Sequence, residues 1–289
     1  MIAKPRHMRR QIAKIQRCNE KQGNVTDMNN INKTLYIPLY GKAYVSQRNL
    51  FLEDKKAEEI WSAEAFPLKG KSRSKWLAFY MGIRSAVFDG WLKEEIKDAA
   101  DAVVLHLGCG MDSRVLRIGN EELMWYDLDL SEVIAERKRY YSENGRYHMQ
   151  EAELRDPTWL EEIPQKKKAI VVMEGVGMYL APAELRTLMA ALDAHFEEIA
   201  LLVDCYTVLA ARLSRYRNPV REVGVTSVFG IDDPTALVVG EISFVKEHDM
   251  TPKQYVDELF GMEKRIFRRL YAGGLSKKLY RLFEYRKNK

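Results

Sequence analysis

The apolar positions of this chain change their period near residue 100. Before it they recur at helical spacing: Trp76, Phe79, Tyr80, Ile83 and Val87 fall three or four apart and share one face. "EDKKAEEIWSAEAF" predicts a helix ended by Pro67 and Gly70, and "SKWLAFYMGIRSAVFDGWLKEEIKDA" predicts two helices parted around Gly90. "TLYIPLYGKAYVSQRN" is aromatic-rich but interrupted by Pro38 and Gly41, and is expected to be irregular. Residues 1–33 are polar and basic; a first helix to about Gln22 and then an Asn-rich loop are expected there.

After residue 100, short aliphatic runs alternate with helix-length segments. "AVVLHL", "LMWYDLDL", "RYHMQEAEL", "KKAIVVMEG", "EIALLVDCY", "EISFVKEHDM" and "KLYRLFEYR" read as strands. Between them "EVIAERKRYYSEN", with Ser131 as N-cap, "APAELRTLMAALDAHF", opened by Pro182, and "TPKQYVDELFG" read as helices. Strands separated by helices predict a mostly parallel α/β sheet with helices on both faces. The division expected is an N-terminal helical arm and cap over residues 1–100 and one sheet-bearing domain over 101–289.

Composition adds limits. With 289 residues, 46% hydrophobic and 30% charged, a packed core is expected. The net charge of +5 is concentrated at the two ends, "KPRHMRRQIAKIQR" and "KRIFRRLYAGGLSKKLYRLFEYRKNK". No aromatic-interleaved RNA motif accompanies these ends, so they read as solvated helix faces and no nucleic acid is expected. Cys18, Cys109 and Cys205 form no C-x-x-C pair, so neither a zinc site nor a disulfide framework is expected and a cytoplasmic location fits. No apolar run approaches a membrane span, and neither a secretory signal nor a membrane partner is expected.

The chemistry starts at "VVLHLGCGMDSR". An apolar strand enters Gly108-Cys109-Gly110, and a helix is expected from Asp112 or Ser113. Such glycines let backbone approach a ligand, and the helix start offers N–H groups to an anion. Ser113 stands where a dinucleotide fingerprint wants its third glycine, which counts against a nicotinamide or flavin enzyme. Asp129 lies 21 residues after Gly108, at the end of the next strand, where a carboxylate can accept both hydroxyls of a ribose. Asp127, on the same face of that strand, is the alternative. From these residues alone, a dinucleotide and S-adenosylmethionine both remain open.

"LGCGMDSR" resembles the "LGAGxDTR" signature of the leucine carboxyl methyltransferase family, which includes O-methyltransferases of polyketide pathways. "YDLDLSEVIAERK", "AELRD", "VVMEGVGMYL" and "YMGIRSAVFD" are similar to further segments of that family, with Ser131 where proline is usual. The resemblance implies a Rossmann-like class I methyltransferase fold with a seven-stranded, mostly parallel sheet and an N-terminal helical addition. It implies S-adenosylmethionine as cofactor, with Gly108 and Gly110 against its methionine part, Asp129 on the ribose, and Glu153 and Leu154 beside the adenine. Glu174 is implied near the amino group, Arg84 at the carboxylate, and Lys42 as a helper there. The bland readings are an exposed helix cation for Arg84, and for Asp112 and Arg114 a helix N-cap and its neighbour.

The reaction so implied is methyl transfer to oxygen of a small-molecule hydroxyl or carboxylate. A carboxylate acceptor needs no general base. His148, Asp204, Tyr206, His248 and Asp249 are the candidates by position should one be needed, and Tyr179 could meet the sulfonium as a cation–π partner. The acceptor wall is expected from the N-terminal helices and from residues 206–245. A protein carboxyl-terminal methyltransferase and a cofactor-binding protein without turnover are the competing readings.

Overall fold

The computed structural model describes residues 35–64, 66, 68, 70–97, 99, 101–119, 122–214 and 228–288. The helix expected before Gln22 and the loop after it, Pro67, and the middle of the expected acceptor wall lie outside them.

Seven strands form one sheet: β1 (Ala102–Leu107), β2 (Met124–Asp129), β3 (Tyr147–Glu151), β4 (Lys168–Met173), β5 (Glu198–Tyr206), β6 (Ser243–His248) and β7 (Tyr280–Lys287). Their spatial order is β3-β2-β1-β4-β5-β7-β6. β1 to β5 run parallel, and β7 is antiparallel to both β5 and β6. This is the mostly parallel seven-stranded sheet that the alternating pattern predicts. β1 is buried at every position, as a strand covered on both faces must be. Val104, Ile170, Val172 and Leu202 face one core, and Val103, Leu105, Val171 and Leu201 face the other.

The first core is covered by helices from before the sheet: α1 (Tyr36–Ser46), α2 (Lys55–Glu64) and α3 (Lys75–Glu95). Then follow α4 (Arg114–Ile118), α5 (Ser131–Arg137), α6 (Pro182–His195) and α7 (Val208–Ser214). α8 (Lys253–Glu258), α9 (Gly261–Leu270) and α10 (Gly274–Lys277) precede β7. Leu185, Leu188, Met189 and Leu192 of α6 close the second core.

Three local expectations are corrected. The stretch around Pro38 and Gly41 is helical, not irregular. Pro38 is the third residue of α1, where the missing N–H has no intrahelical acceptor to lose. The two helices expected around Gly90 are one continuous helix, α3, capped by Ser74, whose side chain accepts from the Trp76 N–H. One helical glycine costs about 1 kcal/mol against alanine, and the burial of Phe79, Ile83, Phe88, Trp91 and Leu92 outweighs it. Ser131 is the first residue of α5 rather than its N-cap, and its hydroxyl donates to Glu132; Leu130 holds the cap position, and the helix ends at Arg137.

The α1–α3 contact is set by two glycines. A Cβ on Gly41 would lie 2.6 Å from Met81 Cβ, and one on Gly82 would lie 2.7 Å from Val45 Cγ2. The two backbones therefore pack closer than any side chain there would permit. Among the described residues no helix is long and apolar enough to cross a membrane.

Gly82→Val tests this packing. It should destabilise the fold by about 1–3 kcal/mol, the usual cost of overpacking a filled core, read as a lowered urea midpoint at unchanged slope. An unchanged midpoint would show that α1 does not depend on close approach.

Candidate active site

The strand order reverses between β1 and β4, and in open α/β sheets the carboxyl ends at such a reversal border a crevice where ligands bind. β1 runs into Gly108-Cys109-Gly110, whose glycines take φ of +68° and +52°. That conformation costs a side-chain-bearing residue, and a Cβ on Gly108 would also strike Val176 at 2.8 Å. β4 runs into Glu174 and Gly175 (φ +75°). A cavity of about 580 Å³ lies between these loops. Arg84, Gly108, Gly110, Asp129, Glu153, Leu154 and Glu174, drawn from one helix and four strand ends, all line it, and so do Lys42 and Tyr179.

Asp129 ends β2 with its carboxylate turned to the glycine loop. It accepts from the Gly110 N–H at 2.7 Å and the Leu130 N–H at 2.8 Å. Burial raises its carboxyl above the ordinary range, and those two donors partly offset the shift. A carboxylate has about four acceptor positions, so capacity is left for a further pair of donors. Glu153 and Leu154 follow β3 on the rim; Leu154 is buried, while Glu153 is exposed and held by Arg155 at 3.1 Å.

Asp127 has a different role from Asp129. It is fully buried, away from the cavity wall. The Arg137 guanidinium, the Trp125 indole N–H (2.9 Å) and the Tyr147 hydroxyl (2.7 Å) all donate to it. Burial alone would raise the Asp127 carboxyl, but Arg137 and His106 hold it down to about 2. Arg137 also donates to the Gly110 carbonyl at 3.0 Å, so this buried pair braces the glycine loop from behind.

The floor of the crevice is a lattice of buried charge. Glu174 accepts from Arg84 Nε (3.1 Å), Ser85 Oγ (2.9 Å) and Arg114 Nη2. Burial opposes its ionisation, yet Arg114, Arg84 and Lys42 hold its carboxyl down to about 2. Arg84 also donates to the Tyr280 hydroxyl at 3.0 Å and lies 3.3 Å from Asp204. It is therefore a buried member of the site, not an exposed helix cation. Asp112 is not a helix cap. It is buried against Lys42 (3.0 Å), Arg117 (2.8 Å) and Arg114 (3.2 Å), while Ser113 occupies the α4 cap position without a side-chain cap bond. Arg114 and Arg117 in turn bind Asp89, and Arg117 binds Asp54. Arg114 approaches His106 Nε2 at 3.2 Å, which puts the ring proton on Nδ1, facing Asp127 at 3.0 Å. Lys42, Arg84, Arg114 and Arg117 thus face Asp54, Asp89, Asp112, Glu174 and Asp204, before Asp129 is counted. The floor favours a ligand of net positive charge.

Of the five residues considered as a base, only Tyr206 lines the cavity. His148 stacks on Tyr126, His248 binds Glu284 at 2.6 Å, and Asp249 accepts from the Thr251 N–H. Asp204 sits behind Tyr280, accepting from its hydroxyl at 2.7 Å and from the Gly175 N–H at 2.7 Å. Burial pushes its carboxyl up to about 6 despite Arg84. Tyr80, His106, Arg155 and Tyr280 line the cavity without having been singled out. Tyr80 was within reach of the pattern, since it lies one helical turn before Arg84 and shares its face.

Two measurements check this electrostatic arrangement. Arg137→Ala leaves Asp127 buried without its main cation and should cost about 3–5 kcal/mol of stability; a smaller loss than that of a surface arginine would remove the brace. The folded value of Asp204 lies above its ordinary 3.8, so the native state keeps this proton longer than the unfolded chain and stability falls as pH rises toward 6. Glu174 acts only below 4.5, where its own stabilisation is lost. Across the interval between the two, Asp204→Asn should lose less Tm with rising pH than the parent, and parallel curves would refute the assignment.

The sequence pattern of the leucine carboxyl methyltransferase family matches residues 31–193. The tetracenomycin polyketide synthesis O-methyltransferase TcmP of Streptomyces glaucescens is 30% identical over 186 residues, covering 63% of this chain and 69% of that protein. The S-adenosyl-L-methionine-dependent methyltransferase dpfgK of Gibberella zeae is 27% identical over 182 residues, 58% of this chain and 61% of that protein. A candidate methyltransferase of known crystal structure from Thermobifida fusca YX shares the fold, with a TM-score of 0.55 at 14% identity over 86% of this chain and 94% of that one. The chain belongs to the leucine carboxyl methyltransferase family.

Proposed function

We propose that this chain is an S-adenosylmethionine-dependent O-methyltransferase acting on a small, largely apolar molecule. The observation that carries the reading is the single cavity in which a glycine cradle, strand-end acids and an apolar wall meet. Its floor suits the cofactor, whose ammonium and sulfonium outnumber its one carboxylate. The cradle suits it as well, because Gly108 leaves no room for a side chain beside Val176.

Bound there, S-adenosylmethionine supplies a methyl group already activated on sulfur. In this reading Asp129 accepts the ribose hydroxyls with the positions that Gly110 and Leu130 leave free. Gly108 and Gly110 bring backbone against the methionine part, and Leu154 and Glu153 border the adenine. Glu174 faces the amino group, while Arg84 and Lys42 offer cations to the carboxylate, each tempered by its own buried acid. The residues before about 100 then act as a cap, with α1 and α3 bringing Lys42 and Arg84 to a donor site built on the sheet.

The rest of the wall holds Ile37, Leu77, Met81, Leu213 and Leu279 with Tyr206 and Tyr271. It excludes water and orients an acceptor oxygen behind the methyl carbon, which is most of what this reaction needs. The Tyr80 hydroxyl is buried in that wall beside the Ser276 hydroxyl. Both hydroxyls can exchange hydrogen bonds with a carbonyl or hydroxyl of the acceptor. A carboxylate acceptor, or a phenol ionised on binding, needs no general base, which suits a cavity lined by just one, Tyr206, of the five residues considered for that role. A largely apolar pocket of this kind favours a small molecule over a protein tail.

Calorimetry with S-adenosylmethionine should show Asp129→Ala weakening binding by about 1–3 kcal/mol, the scale of charged hydrogen bonds; equal affinity would remove the ribose assignment. Incubation with isotopically labelled cofactor and a panel of phenols, carboxylic acids and peptide carboxyl termini should label the first two groups. Labelling of the peptides alone would replace this reading.

A further inference from the structure

α9 presents a face that the methyl-transfer reading does not use. Its inner side is fixed: Phe267 is fully buried with its ring 6.2 Å from Phe79, and Glu263 binds Arg48 and Lys75, each at 2.9 Å. That anchoring determines what points outward. Met262, Ile266 and Leu270 recur at intervals of four and form one apolar stripe. Met262 is 64% exposed and Leu270 55%, and Phe260, at the helix start, is 77% exposed. Arg265 and Arg269, also four apart, run alongside and are exposed, with Arg268 beyond them. Arg268 is paired with Asp257, but Arg265 and Arg269 have no ion pair among the described residues.

The stripe ends at the cavity. Leu270 and Tyr271 belong to its wall, and so does Leu213, itself 52% exposed. These half-exposed leucines mark the mouth. Large apolar side chains that stand out from the surface beside unpaired guanidinium groups match an interface of anionic headgroups over acyl chains. A nucleic acid would be met by the arginines alone and would leave Phe260, Met262 and Leu270 in water, and an acidic protein would need an apolar patch of its own in matching register, whereas a bilayer offers both layers across its whole surface.

We propose that the outer face of α9, with Phe260, docks on an anionic lipid surface and sets the cavity mouth against it. The sequence expectation of no membrane partner followed from the lack of a spanning segment, whereas lying on a surface requires only one apolar and basic face. That the acceptor enters from the lipid rests on the proposed function; the docking itself does not.

Sedimentation with vesicles tests it. The full chain should partition onto phosphatidylcholine mixed with phosphatidylglycerol, less so as salt is raised, and not onto phosphatidylcholine alone. Replacing Arg265→Ala and Arg269→Ala together should weaken partitioning about twenty-five-fold, at roughly fivefold per guanidinium. Phe260→Ser with Met262→Ser should also weaken it. Both double variants should keep the Tm and the thermal shift by S-adenosylhomocysteine of the parent. No partitioning onto anionic vesicles, or partitioning indifferent to Phe260→Ser with Met262→Ser, would overturn the proposal. A parent without the S-adenosylhomocysteine shift would count against the donor-site reading and leave the vesicle result to be judged separately.

Discussion

The contact between Glu174 and the two arginines Arg84 and Arg114 holds the site together. Glu174 directly follows the central strand β4, Arg84 comes from α3 ninety residues earlier in the chain, and Arg114 opens the helix after the glycine loop. An ionised carboxylate at this depth is tolerable only with cations at contact, and a guanidinium supplies them in a fixed fork. The pairing therefore fixes three elements relative to one another. Removal of any one partner would leave an uncompensated charge in a dry place, a far larger penalty than the net gain of the intact pairs. Lattices of this sort are poor sources of stability but strict about geometry, which is what a donor site needs.

The second brace works from the opposite side of the glycine loop. Arg137 joins Asp127 to the Gly110 carbonyl, while Asp129, two residues along the same strand, takes the Gly110 N–H. One strand thus supplies an acid that is spent on the scaffold and another that faces the cavity. The two have the same side-chain direction and differ in depth: Asp127 pairs with His106 inside the sheet, and Asp129 lies at the carboxyl end of the strand.

Much of this was legible in the sequence because it is local. The glycine loop, the acid at the end of the next strand and Glu174 at the end of an apolar run each announce themselves within ten residues. The sheet followed from alternation of strands and helices. What stayed hidden depended on partners far away. Pro38 and Gly41 read as breakers, yet the close approach to Met81 turns Gly41 into a packing device. Asp112 read as a cap because nothing nearby reveals Lys42 seventy residues upstream. Gly90 read as a break because local propensity cannot register the core that encloses α3. Asp54, Asp89 and Arg117 carried no signal, since buried ion pairs have no period.

The cavity has two kinds of wall. The half proposed for the donor hangs from the tips of the central strands and is tied by the buried lattice. The other half combines α1 and α3 with α7, α9, α10 and the turns around them, and those last three helices are segments of one to three turns. Divergence therefore has unequal freedom at the two ends: drift in the short segments can reshape what the pocket accepts while the half proposed to hold the donor stays untouched. A lineage built on this chassis can change its clientele without reinventing its chemistry.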